Sequence, residues 1–198
     1  MKNLLLPAFL ALVASCAVVD TPAPVVKLPA PVWVISSSNG SYGSCCPVRV
    51  WQGRTWFVTA RHCTDGTLSV GSCLEEDPGT PARLEWSHDE EDIALVSAPV
   101  EVSAVWSLRA TPPVRGERLY SAGYPRCRPL TIYEGLALQY GRASCQVGPG
   151  MSGGPVFDAH GRLVGVNSLL EPPATRPFFI RWGVGLRYAR VTFLPLAH

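Results

Sequence analysis

The 198-residue sequence predicts an all-β fold assembled from two β units. Three observations carry that expectation. From residue 32 onward the apolar segments are short and rich in β-branched and aromatic residues. Turn-forming residues separate them at regular intervals. No segment sustains the i, i+3, i+4 apolar stripe of an amphipathic helix. The 18 glycines and 19 prolines also suit a loop-rich β protein better than a helical one.

The strand candidates of the first unit are VWVIS (32–36), VRVW (48–51), TWFVTA (55–60), TLSVG (67–71), ARLEWS (82–87) and IALVSA (93–98). Asn39-Gly40, Gly53, Asp65-Gly66 and Pro78-Gly79 supply the turns between them. A second series lies at 118–124, 130–138, 141–147, 154–158, 163–169 and 182–191. Between the two series, residues 106–117 carry Pro112, Pro113 and Gly116 and read as a connector. The units therefore divide at about 32–110 and 116–198.

A formal charge of +2, with 16% charged residues, argues against a nucleic-acid binder, which needs a concentrated basic surface. The chain opens with Lys2 and an apolar run from Leu4 to Ala14, too short to span a bilayer and interrupted by Pro7. That run reads as an export signal over residues 1–15. Val13 to Cys16 (VASC) resembles the lipobox of bacterial lipoproteins, which makes Cys16 the first mature residue and the site of lipidation. The alternative is ordinary cleavage nearby, for example after Ala17. Two acyl chains would anchor the protein by on the order of 20 kcal/mol. Residues 16–31 then form a proline-rich linker that holds residues 32–198 off the membrane. The expected location is the bacterial cell envelope, facing the periplasm. Setting Cys16 aside leaves six cysteines, an even number that suits an oxidising compartment: Cys45, Cys46, Cys63, Cys73, Cys127 and Cys145.

Three spots carry chemistry. TARHC places His62 at the end of a strand-like run. DEEDIALV places Asp92 directly before an apolar strand, in competition with Asp89, Glu90 and Glu91. GPGMSGGPVF places Ser152 among Gly148, Gly150, Gly153 and Gly154. A serine hydroxyl is a poor nucleophile at neutral pH. It needs a histidine to take its proton and a carboxylate to orient that histidine. The oxyanion needs preformed N–H donors, which a glycine-rich turn can present. Each spot alone also has a structural reading: a turn histidine, a solvated acidic loop and a glycine turn. His88, His160 and His198 receive no role, and no metal site or cofactor is expected.

Together the motifs resemble the trypsin/chymotrypsin-like serine proteases. TARHC is similar to that family's T-A-x-H-C, DIAL to its D-[IL]-A-[LV], and GMSGGPV to its G-x-S-G-G-P. The order His, Asp, Ser is also the family's order. The spacings of 30 and 60 residues, with GRLVGVNS and WGVGLRYARV downstream, are closer to the bacterial periplasmic members. The resemblance implies two antiparallel Greek-key β-barrels with a site at their junction. It implies His62 as general base, Asp92 as orienting acid and Ser152 as nucleophile. Gly150 and Ser152 would be the oxyanion-hole donors, and Ser168 the support of the aspartate. It sets Gln146 near the base of the primary pocket and Leu169 and Leu170 on its wall, favouring a small apolar residue before the cut. It also implies that Cys63 pairs with Cys45 or Cys46, that the other of these reaches Cys73, and that Cys127 pairs with Cys145.

Two residues depart from the family pattern. Met151 cannot make the ion pair by which an aspartate there senses a freed N-terminus, so no activation by N-terminal cleavage is expected. Arg61 is bulky where the family is small, and either narrows the cleft, favours acidic substrates or points to solvent. The expected activity is peptide-bond hydrolysis by a monomer on protein or peptide substrates. The alternatives are a catalytically silent binding module of the same fold, and an esterase.

Overall fold

The computed structural model describes residues 26–71, 79–138, 142–168 and 180–181. The first unit contains β1 (Trp33–Ser37), β2 (Tyr42–Trp51), β3 (Arg54–Thr59), β4 (Leu68–Gly71), β5 (Thr80–His88) and β6 (Ile93–Ala98). They close into an antiparallel barrel in the order β1-β2-β3-β6-β5-β4. The β2–β3 hairpin turns on Gln52 and Gly53, both at positive φ (49° and 69°), between the paired residues Trp51 and Arg54. Positive φ at both loop residues matches the right-handed twist of the flanking strands. β2 reaches back to Tyr42, six residues before the 48–51 run. Pro47 is tolerated inside it because the register shifts between Pro47 and Arg49.

The apolar runs on β3 and β6 are continuous because both faces of these strands are covered. Phe57, Val96 and Ala98 fill the barrel with Ile35, Cys45, Leu68 and Val70. The alternate residues Trp56, Val58, Ile93 and Leu95 face outward into a second core, which holds Tyr120, Ala122, Phe157, Leu163 and Val166 of the second unit. The two units thus share a hydrophobic interface.

The second unit contains β7 (Arg118–Gly123), β8 (Thr131–Leu136), β9 (Pro155–Asp158), β10 (Leu163–Asn167) and β11 (Ile180–Arg181), in the sheet order β11-β10-β9-β7-β8. All neighbours are antiparallel. The described part of the 141–147 segment is not a full strand. It pairs with the end of β8 only through the Ala137–Ala143 bridge and short backbone bonds, and the Ser144 hydroxyl takes the Leu136 N–H at 2.8 Å. The 182–191 segment lies outside the described residues.

Two segments expected to be loose are packed. Trp106, at the start of the connector, is buried in the interface, with its ring centroid 5.1 Å from that of Phe157. Its backbone N–H donates to the Pro47 carbonyl at 2.8 Å and its indole N–H to the Pro31 carbonyl at 3.0 Å. The proline-rich segment therefore docks before residue 32. Ala30 and Val32 are buried, Val26 and Leu28 pack on the same core, and the Tyr124 hydroxyl donates to the Val32 carbonyl at 2.9 Å. A buried indole N–H needs an acceptor, and the extended chain supplies one. Among the described residues no helix is long and apolar enough to cross a membrane.

Candidate active site

Antiparallel register explains how two residues 30 apart in sequence meet. Thr59 at the end of β3 pairs with Ala94 at the start of β6. The residues just after β3 and just before β6 therefore emerge at the same end of the barrel. His62 sits in a single 3₁₀ turn, Arg61–Cys63, and Asp92 closes the turn after β5. His62 Nδ1 lies 2.8 Å from Asp92 Oδ2 and 3.0 Å from Oδ1. An ionised carboxylate only accepts, so Nδ1 carries a proton, and Nε2 holds the lone pair whenever the ring is neutral.

Asp92 is buried and held on every side. The His62 backbone N–H donates to Oδ1 at 3.0 Å, and the Ser168 hydroxyl donates to Oδ2 at 2.5 Å. The Arg61 backbone N–H donates to the Asp92 carbonyl at 3.2 Å. Asp92 itself sits at φ 47°, a left-handed conformation that aspartate tolerates better than most residues. Burial alone pushes its carboxyl up, but the bonds from His62 and Ser168 outweigh burial and hold it below its ordinary value. The hydrogen bond to Asp92, helped by the Cys63 sulfur and opposed by desolvation, raises the His62 imidazolium above its ordinary 6.5.

Of the competing acids, Asp89 points elsewhere. Asp89 is exposed and pairs with Arg61 Nε at 2.8 Å, while Arg61 Nη1 pairs with Asp65 at 2.5 Å. The Arg61 charge is thus engaged by two carboxylates at the rim, beside His62.

Ser152 stands in the loop before β9, its carbonyl accepting from the Cys63 thiol beside His62 at 3.9 Å. The glycines around it answer steric demands. A Cβ at Gly150 (φ 91°) would lie 2.5 Å from the Tyr124 carbonyl oxygen and 2.6 Å from the Tyr42 ring. One at Gly153 (φ 81°) would meet Thr59 Oγ1 and the Ser44 carbonyl. The turn is tied down from both units. The Ser44 N–H donates to the Ser152 carbonyl at 2.7 Å, and the Ser44 hydroxyl donates to the Gly150 carbonyl at 2.8 Å. The buried Asn167 amide donates to the Met151 and Ala122 carbonyls at 3.0 and 3.2 Å. The Met151 side chain is buried beneath Gly123.

Among the described residues, neither the Gly150 nor the Ser152 backbone N–H donates to any partner, and the Ser152 hydroxyl makes no hydrogen bond. Nearly all buried backbone donors are paired, so the open N–H of the buried Gly150, beside the half-buried Ser152, leaves room for an acceptor from outside.

The expected disulfides do not form among the described cysteines. Cys45, Cys46, Cys63, Cys127 and Cys145 are free thiols. Gly43 stands against Cys63: an added Cβ there would lie 2.6 Å from Cys63 Sγ. Cys45 shares the barrel core with Cys63, whereas Cys46 points to the other face and donates to the Val58 carbonyl at 3.8 Å. Cys127 is exposed while Cys145 is buried and donates to the Leu119 carbonyl at 3.6 Å. Gln146 is exposed. Cys16, Cys73, Leu169 and Leu170 lie outside the described residues. No group of three or more His, Cys, Asp or Glu among the described residues could hold a metal ion.

The structure therefore joins His62 and Ser168 through Asp92, and the Cys63 thiol beside His62 donates to the Ser152 carbonyl at 3.9 Å. Sequence reasoning missed Ser44, which ties the Ser152 turn to the first barrel, and Thr59, whose hydroxyl donates to the Ser44 carbonyl at 2.9 Å within that barrel. It also missed Asn167, although that residue adjoins Ser168 in GVNS.

Three solved structures share the fold. The serine endoprotease from Yersinia pestis superposes with a TM-score of 0.65 at 17% identity, covering 81% of this chain and 61% of that one. The chain thus spans under two thirds of that structure. A protease from M. tuberculosis superposes in its active form with a TM-score of 0.66 at 19% identity, covering 83% and 81% of the two chains. Its inactive form gives 0.62 at 21% identity, covering 81% and 88%. No curated protein sequence matches the chain. The family model of the trypsin-like peptidase domain matches residues 43–166, more than half of the sequence. With the barrel, the shared interface and this match in hand, the chain belongs to the trypsin-like peptidase domain family.

Proposed function

We propose that the protein is a serine endopeptidase in which Ser152, His62 and Asp92 act as a catalytic triad. The observation that carries the reading is the His62 imidazole, fixed through Nδ1–H to the buried Asp92, with the thiol of the adjacent Cys63 donating to the Ser152 carbonyl at 3.9 Å. In this reaction Ser152 Oγ attacks the scissile carbonyl carbon while His62 Nε2 takes the hydroxyl proton. The negative charge that forms on the carbonyl oxygen is met by the Gly150 and Ser152 N–H groups. His62 then gives its proton to the departing amine, leaving an acyl ester on Ser152. Water, deprotonated by His62, hydrolyses the ester and restores the enzyme. Asp92 holds the tautomer and stabilises the imidazolium without being protonated itself.

The same reading places the enzyme in a bacterial envelope, exported by residues 1–15 and anchored through lipid on Cys16. The lipobox-like VASC supports this. Loss of lipid labelling in Cys16→Ser, with export retained, tests it.

Incubation of the purified full-length chain with an unfolded protein, beside Ser152→Ala, tests the activity. Peptide fragments from the wild type alone are expected. Turnover of an ester with no peptide cleavage would make the protein an esterase. Binding without either would make it a silent module.

A further inference from the structure

The turn after β7 carries two consecutive non-glycine residues in the left-handed region, Arg126 at φ 52° and Cys127 at φ 51°. Both side chains are exposed, so packing does not impose the conformation. Such strain persists only where surrounding structure holds it, and it concentrates at functional positions. Here the backbone explains it. The Arg126 N–H donates to the Pro149 carbonyl at 2.8 Å, and the Arg128 N–H closes the turn on the Pro125 carbonyl at 2.9 Å.

Pro149 is the residue before Gly150. In a trans peptide the carbonyl and the following N–H point to opposite sides. Holding the Pro149 oxygen toward the 125–127 turn therefore turns the Gly150 N–H away from it, leaving that donor open. If the Pro149 carbonyl were released, rotation of this one peptide plane would withdraw the donor without moving Ser152, whose own carbonyl is bound by Ser44. The contact is close on both sides, since a Cβ on Gly150 would lie 3.0 Å from the Arg126 nitrogen.

We propose that Arg126 is a positioning residue, whose backbone N–H, presented by the strained Arg126–Cys127 turn, latches the Pro149–Gly150 peptide with the Gly150 N–H facing the reacting carbonyl. The inference rests on the reading of Ser152 as nucleophile and Gly150 as oxyanion donor.

Three substitutions in the full-length chain separate the amide from the side chain. Arg126→Pro removes the N–H and forbids positive φ. Arg126→Val keeps the N–H but disfavours the left-handed region, whereas Arg126→Gly keeps the N–H and accepts it. Rates of fluorophosphonate labelling and of peptide turnover are read alongside the downfield His62 Nδ1 proton resonance. Labelling and kcat in Arg126→Pro are expected to fall about 100-fold, the lower end for loss of one oxyanion donor, with KM little changed. Arg126→Val should label more slowly than Arg126→Gly, with the His62 resonance present in both. Should Arg126→Pro fail to fold, that Val-to-Gly ordering decides the question. Equal rates for Val and Gly, or rates that fall only together with the His62 resonance, would overturn the latch.

If the wild type does not label at all, the nucleophile reading fails instead. The latch then stands or falls on hydrogen exchange, where it requires a protected Arg126 amide and a freely exchanging Gly150 amide. The reverse pattern would overturn it.

Discussion

The Ser44 backbone N–H donates to the Ser152 carbonyl at 2.7 Å, across the boundary between the two β units. The turn before β9 is thus positioned by a strand of the first barrel as much as by its own sheet. The Ser44 hydroxyl extends the link, donating to the Gly150 carbonyl and accepting the Tyr124 N–H at 3.1 Å.

Ser44→Ala keeps the backbone bond but strands two buried polar groups. Each unsatisfied group costs about 1–3 kcal/mol. For the two together denaturant unfolding should show a loss of about 2–6 kcal/mol, and peptide turnover should lose kcat rather than gain KM. An unchanged midpoint and kcat would show that the hydroxyl is dispensable.

The pH dependence follows from the His62–Asp92 bond. His62 acts as a base only when neutral, and Asp92 raises its pKa above the ordinary 6.5. The acid limb of the kcat/KM profile should therefore lie above pH 6.5, with activity rising as pH increases through it. Asp92→Asn removes the carboxylate and favours the wrong tautomer. It should move that limb downward and lower kcat by about 10⁴. A limb that stays in place would show that Asp92 is not the group acting on His62.

Trp106→Ala opens the shared core and removes the donor to the Pro31 carbonyl. Truncating a buried tryptophan costs roughly 3–5 kcal/mol. Limited proteolysis should also begin to cut near residues 26–32, which the indole N–H holds against the interface. A stable variant with that segment still protected would contradict the anchoring role.

Arg61→Ala tests the rim. Because the Arg61 charge is already paired with Asp65 and Asp89, the change should cost no more than about 1 kcal/mol. It should leave the preference between acidic and neutral peptides unaltered. A loss of cleavage beside acidic residues would restore a substrate-binding role for the guanidinium.

How much of this was legible in the sequence depends on whether a feature is local. The β3 and β6 runs could be read because both of their faces are buried, and His62 and Asp92 could be read because each sits at the end of such a run. The glycines around Ser152 announced a tight turn through composition. The cysteine environments were not legible: period-two alternation puts Cys45 and Cys46 on opposite faces, but only the structure shows that Gly43 stands against Cys63. Ser44 and Asn167 were invisible because their partners, mostly backbone atoms and for Asn167 also the Ser121 hydroxyl, are distant in sequence. The docking of residues 26–32 was hidden for the same reason, since an indole N–H and a tyrosine hydroxyl from other segments create it.

The most direct test of the central claim is covalent labelling of the full-length protein with a fluorophosphonate, read by intact mass, beside Ser152→Ala. One adduct on the wild type and none on the variant is the expected result, accompanied by a fall of about 10⁶ in turnover if the triad acts as a unit. A folded wild type that takes no adduct, or a Ser152→Ala variant that labels equally, would contradict the assignment of Ser152 as an activated nucleophile.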